Sequence, residues 1–136
     1  MNSVNKRFFR VAKEISYLSN FKRTHVGAVV VENKTIVSTG FNSTKTNPLQ
    51  EKYNRFRNFD EKLFPACEHA EIHALSSLIG KPIKWNYVSI YTYREANGVK
   101  ACSRPCEACE RLIKDLGIKN IYYIDIEGNY CKESVL

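Results

Sequence analysis

Apolar residues recur at helical spacing along the first 20 positions. Val4, Phe8, Val11, Ala12, Ile15 and Leu18 fall on one stripe, which predicts an amphipathic helix over 3–20 with Ser3 as its N-cap. Lys6, Arg7, Arg10 and Lys13 lie mostly off that stripe. This basic face reads first as a solvated surface and second as a contact for nucleic acid. The pattern then changes. Residues 26–32 and 35–41 are rich in β-branched side chains and flank Asn33-Lys34, which predicts a hairpin. The unbroken apolar run at 28–31 predicts a strand covered on both faces.

A longer connection follows over 42–68. Asn47-Pro48 supplies an N-cap and a first helical residue. Leu49, Tyr53, Phe56 and Leu63 then recur at helical spacing, predicting a short helix near 48–58 and an irregular segment to Pro65. Lys45, Lys52, Arg55, Arg57 and Lys62 are interleaved with the aromatics. Packing is the first reading of those aromatics, and stacking on nucleic acid is the second. Tyr53, Phe56, Phe59 and Phe64 offer more aromatic surface than a small domain easily buries, so association into a homodimer or higher homo-oligomer is expected.

Residues 68–79 form the next predicted helix, with Ala70, Ala74, Leu75, Leu78 and Ile79 on its buried face and Gly80 and Pro82 ending it. A strand is expected over 87–93, then a 94–102 segment turning at Asn97-Gly98. Pro105 opens a helix that Gly117 ends, and a strand follows over 120–125. Strand, helix and strand make a right-handed parallel crossover. Gly128-Asn129 then turns the chain into a last antiparallel strand over 130–136. The sum is a three-layer α/β/α fold, a mixed five-stranded sheet with helices on both faces.

Length and composition narrow the picture. At 136 residues the chain is read as a single domain, 1–136. No apolar run is long enough for a bilayer and no signal peptide opens the chain, so a cytoplasmic location with no membrane partner is expected. A formal charge of +7 points to an acidic partner, a nucleotide phosphate or a nucleic acid, or to solubility alone. The five cysteines show no disulfide framework.

Two short stretches carry the chemistry, His69-Ala70-Glu71 and Pro105-Cys106-Glu107-Ala108-Cys109. Zinc accepts imidazole nitrogen and thiolate, and a catalytic zinc keeps one of its four positions for water. His69, Cys106 and Cys109 supply three ligands. Both stretches open helices, where free N–H groups favour anions and lower thiol pKa values. Glu71 is left over beside the metal, and a spare carboxylate there suits a proton shuttle. The rival is a closed structural site in which His73, one helical turn from His69, becomes a fourth ligand. Cys-x-x-Cys alone is also compatible with redox chemistry or with no metal. Cys67 and Cys102 read as small residues packed near the ligands.

With these stretches, V-G-A-V-V-V at 26–31, T-G-F-N-S at 39–43, H-A-E-I-H-A-L at 69–75, P-C-E-A-C at 105–109 and G-I-K-N-I-Y-Y at 117–123, the chain resembles the cytidine/deoxycytidylate deaminase superfamily. Within it, the chain resembles small deoxycytidylate deaminase-like proteins of bacteria and phages. The resemblance implies a Zn²⁺ enzyme that converts the cytosine of a free nucleotide, deoxycytidine monophosphate first, to uracil with release of ammonia. It also implies that Glu71 moves the protons, that Asn42 contacts the sugar and that the Ala70 N–H binds the pyrimidine carbonyl. A deaminase of a base in tRNA or single-stranded DNA, which uses the same H-A-E and P-C-x-x-C motifs, is the second reading, and a non-catalytic zinc module is the third.

The chain departs from the family at several points. The usual Ser-Pro-Cys is Ser103-Arg104-Pro105-Cys106 here, so the carbonyl that meets the exocyclic amine comes from Arg104. His73 stands where many deoxycytidylate deaminases have Asn. The 42–66 connection lacks the extra metal-binding cysteines of some viral members. The 94–102 segment is longer than usual, and Arg94 and Arg104 flank it. Both are candidates for a substrate phosphate, and each is equally readable as a surface charge.

Overall fold

The computed structural model describes residues 3–56 and 67–135. Its sheet begins with the expected hairpin, β1 (Thr24–Glu32) and β2 (Thr35–Phe41). Asn33 and Lys34 take φ of 47° and 71°, the positive values that match a two-residue turn to strand twist. β1 also pairs antiparallel with β3 (Val88–Ala96) along its whole length. β5 (Asn120–Ile124) runs parallel to β3, and β6 (Tyr130–Ser134) runs antiparallel to β5. The order is therefore β2-β1-β3-β5-β6.

Among the described residues the sheet holds one strand more than the expected five. The 94–102 segment is a hairpin: β3 runs on to Ala96, turns at Asn97 and Gly98, and returns as β4 (Val99–Ala101). The alternation over 87–93 marks only the part of β3 that carries the core. Beyond it the strand is held by pairing on both sides, with Arg94 opposite both Val26 and Ala101.

Two apolar layers form because β1 alternates beneath its unbroken run. Ala28 and Val30 join a core with Ile72, Leu75, Ile90, Leu112 and Ile121. This layer carries α2 (Pro48–Tyr53), α3 (Ala70–Ser76) and α4 (Glu107–Leu116). Val29 and Val31 face the opposite way, onto Phe8, Phe9, Ala12 and Tyr91 under α1 (Ser3–Ser16). The expected helix over 3–20 stops at Ser16, and its buried face is Phe8, Phe9 and Ala12, turned from the predicted stripe. Leu18 lies past the helix end and is exposed. Lys6, Arg7, Arg10 and Lys13 are exposed, as a solvated face requires.

The connection over 42–68 is partly described. Asn47 caps α2 by accepting a hydrogen bond from the Leu49 N–H at 2.9 Å, and a short 3-10 turn follows at Asn54–Phe56. Tyr53 belongs to the core and donates to Asp115. Phe56 lies between the guanidinium groups of Arg55 and Arg111. Neither aromatic is open apolar surface, which removes two of the four that suggested self-association. Arg57, Phe59, Lys62, Leu63, Phe64 and Pro65 lie outside the described residues. Among the described residues no helix is long and apolar enough to cross a membrane.

Helices approach the sheet closely at two glycines. A Cβ on Gly27 would run into the Ala12 carbonyl oxygen of α1, and one on Gly40 into the Ala70 carbonyl oxygen of α3. Backbone cannot yield as a side-chain tip does. Gly27→Ala is expected to cost about 1–3 kcal/mol, the usual range for overpacking, read as a lower urea midpoint at unchanged slope.

Candidate functional site

His69 is the residue before α3 begins, and Cys106 is the residue before α4 begins. Neither caps its helix through its side chain. The side chains turn toward each other instead. His69 Nδ1 lies 3.4 Å from both the Cys106 and Cys109 Sγ atoms. All three ligand atoms fall within 4.8 Å of one another, the span of a shared ion. The crossover between parallel strands produces this meeting, because α3 and α4 both start at one end of the sheet.

The donor chemistry fits zinc. The Cys106 thiol is pulled down to about 3, first by a hydrogen bond from Cys109 and further by His69, against burial. A site that holds a thiol as thiolate presents the form zinc binds. His73 is not part of the cluster. Its Nδ1 accepts from the Phe41 N–H at 3.1 Å, its ring stands edge-on to Phe41, and Glu68 lies 3.8 Å away. His73 faces β2, so among the described residues the cluster consists of His69, Cys106 and Cys109.

Glu71 lies in the first turn of α3 and is only 5% exposed. Burial raises its carboxyl above the ordinary carboxylate range; His69 opposes that and Cys106 adds to it. A raised value next to a donor set for a cation marks a group able to take and return a proton. A cavity of about 400 Å³ opens beside these groups. Asn42, Ala70, Glu71, Arg94, Cys102, Arg104 and Cys106 all contribute to its wall.

The other expected residues differ in how free they are. Asn42 accepts from the Val26 N–H at 2.9 Å and donates to the Thr24 carbonyl at 3.0 Å, so its amide is held flat along the end of β1. Arg104 spends its guanidinium on Glu133, at 2.8 and 3.1 Å, and on Glu110, at 3.2 Å. Its side chain braces the surface, and the residue also lines the cavity. Arg94 makes one long bond, 3.5 Å to the Cys102 carbonyl. Lys52, Arg55 and Lys100 lie over the rings of Tyr53, Phe56 and Tyr130 instead.

Three residues that carry the site escaped the sequence reading. Glu68 is buried in the cavity wall and accepts from Asn47 at 2.6 Å. Gln50, with no exposed surface, accepts from the His69 N–H at 3.0 Å. Ser103 clamps the loop before the thiols. Its hydroxyl donates to the Thr92 carbonyl at 2.9 Å and accepts from the Ile124 N–H at 2.8 Å, while its own N–H bonds the Ile124 carbonyl at 2.8 Å. Polar side chains in an otherwise ordinary helix or loop give no periodic signal; only the Ser-x-Pro-Cys spacing could have singled out Ser103.

The family described as the cytidine and deoxycytidylate deaminase zinc-binding region matches residues 2–125, and the chain belongs to it. Family and donor set together make it a zinc-dependent hydrolytic deaminase. The deoxycytidylate (dCMP) deaminase of cyanophage S-TIM5, in its apo form, is 25% identical, with a TM-score of 0.65 over 92% of this chain and 86% of that one. A second structure of the phage enzyme, in complex with dCMP and dUMP, is 24% identical at a TM-score of 0.63 over 89% and 81%. Cytidine deaminase from Burkholderia pseudomallei shares the fold at 20% identity, with a TM-score of 0.65 over 99% and 94%. No curated protein is significantly similar to the chain.

The Ser103 clamp has a measurable cost of removal. Ser103→Ala leaves the buried Ile124 N–H and Thr92 carbonyl short of a partner. A loss of about 1–3 kcal/mol is expected in thermal or urea unfolding. A change below about 0.5 kcal/mol would show that the clamp is dispensable.

Proposed function

We propose that residues 1–136 form one deaminase domain acting on the cytosine of a free pyrimidine nucleotide, deoxycytidine monophosphate first. The observation that carries this reading is the buried Glu71 beside the His69, Cys106 and Cys109 donors, with a cavity of about 400 Å³ opening onto Glu71, His69 and Cys106. The three donors are assigned to zinc. When bound, zinc makes a coordinated water acidic near neutral pH.

The chain's own residues do the rest. Glu71 accepts a proton from the attacking water and delivers it to ring N3. The water oxygen bonds to C4, and Glu71 then takes the remaining proton from that oxygen and passes it to the exocyclic amine. The bond from C4 to that nitrogen breaks, giving uracil and ammonia. The Ala70 N–H donates to the pyrimidine carbonyl, and the Arg104 carbonyl accepts from the amine. Asn42, already fixed by β1, presents its remaining hydrogen-bonding capacity to the sugar. Burial suits Glu71 to this shuttle, since its two protonation states lie closer in energy than in water.

Glu71→Gln is expected to keep its zinc and its fold but to lose turnover by about 10²-fold or more, because an amide cannot shuttle protons. Near-normal ammonia release from that variant, at full metal content, would remove Glu71 from the mechanism.

The phosphate is assigned to Arg94. Among the basic residues of the cavity wall, Arg104 is committed to two carboxylates, whereas Arg94 keeps most of its donors. Its guanidinium fork suits a phosphate dianion. Arg94→Ala is expected to raise KM for the monophosphate about tenfold or more and to leave the nucleoside nearly unchanged. Ammonia release should be followed on cytidine, deoxycytidine, their monophosphates and single-stranded oligonucleotides. Turnover of the oligonucleotide alone would transfer the same site to a polymeric substrate, and its rate would then fall steeply with salt.

A further inference from the structure

Gln50 has no catalytic neighbour in sequence, yet its side chain is completely buried. Leaving such an amide unpaired would cost about 1–3 kcal/mol, so its partners explain its presence. The carbonyl oxygen of the side chain accepts from the backbone N–H of His69 at 3.0 Å. Its nitrogen donates to the Asn54 side-chain oxygen at 2.7 Å, one helical turn further on. Asn54 is buried too. The second bond decides how the amide is turned, and so makes its oxygen, not its nitrogen, face His69.

His69 is the place where such a bond matters most. The residue precedes α3 in extended backbone, φ −80° and ψ 156°, and no side chain caps the helix there. The neighbouring peptide groups are already held: the Glu68 N–H bonds the Lys45 carbonyl at 2.9 Å, and the Glu68 carbonyl accepts from the Ser43 N–H at 3.0 Å. Gln50 holds the next link, the one that carries the imidazole. Its helix is anchored elsewhere, by the Tyr53 hydroxyl on Asp115 of α4. Since α4 also bears Cys109, the Gln50 bond refers the position of the histidine to the element that holds a thiol.

We propose that Gln50 is a positioning residue for the metal centre, fixing the backbone of His69 so that its Nδ1 meets the two thiols. The proposal rests on the assignment of His69 as a zinc ligand. Groups that orient metal ligands typically change metal affinity or activity about 10–100-fold when lost.

The test compares Gln50→Leu with Asn54→Leu. Both break the buried amide pair, but only the first removes the bond to His69. Zinc affinity is measured by chelator competition, and the ligand field by the visible spectrum of the cobalt-substituted protein. Gln50→Leu is expected to weaken zinc about 10–100-fold and to shift the cobalt bands, with kcat lowered more than KM is raised. Asn54→Leu is expected to lose similar stability with a smaller change in affinity and band positions. Gln50→Glu retains an acceptor for the His69 N–H and should hold zinc within about threefold of the parent, which keeps the test open if Gln50→Leu does not fold. Equal effects of Gln50→Leu and Asn54→Leu on zinc and on the cobalt spectrum would overturn the proposal, as would a Gln50→Glu protein that binds zinc as poorly as Gln50→Leu. Parallel measurement on His69→Ala separates the two assignments. Unchanged zinc there removes the ligand reading, whereas zinc lost there but unaffected by Gln50→Leu removes only the positioning role.

Discussion

The parallel pairing of β3 with β5 is the constraint on which the site depends. Ser89, Ile90 and Tyr91 lie beside Asn120, Ile121 and Tyr122, and a parallel pair cannot be joined by a tight turn. The chain must cross the sheet through α4, whose leading loop therefore leaves the sheet at the end of the β3–β5 pairing. Just past the last paired residues the two strands would separate with open backbone groups. Ser103 enters at that point and bonds both strands. The loop carrying the thiols is thereby tied to the sheet instead of to solvent.

Charge in the site is balanced over a short distance. Two sulfurs, an imidazole and a buried carboxyl occupy one small volume. Burial disfavours the Glu71 carboxylate and the Cys106 sulfur repels it, so both push its carboxyl up, while the His69 imidazole attracts it and pulls it down. Farther out, Arg104 meets Glu110 and Glu133 at the surface, where solvent screens the attraction and its worth is small. The contrast separates groups that set chemistry from groups that brace a rim.

Much of the fold was legible in the sequence, for reasons that particular residues make plain. The turn at Asn33-Lys34, the Asn47-Pro48 start of α2 and the Gly117 end of α4 are local signals, and local backbone preference decided them. His69, Glu71, Cys106 and Cys109 were legible because metal chemistry restricts residue type and spacing. The end of α1 was not, since close approach to Gly27 and the burial of Ser16 are tertiary facts. Nor was β4, whose exposed Val99 and Lys100 have no core face and are held by backbone pairing alone. Gln50 and Glu68 were invisible for a related reason: a buried polar side chain is meaningful only once its partner is known.

The β3–β4 hairpin stands apart from the chemistry in an unusual way. Its tip is open, with nothing within 4 Å of a side chain added at Gly98, while its base carries Arg94 in the cavity wall and ends at the Ser103 clamp. Changes in length or sequence at the tip are therefore absorbed before they reach the thiols. The molecule divides into a site tied to the sheet and a hairpin tip that touches none of it. The hairpin tip is thus mechanically insulated from the clamp that sets the thiols.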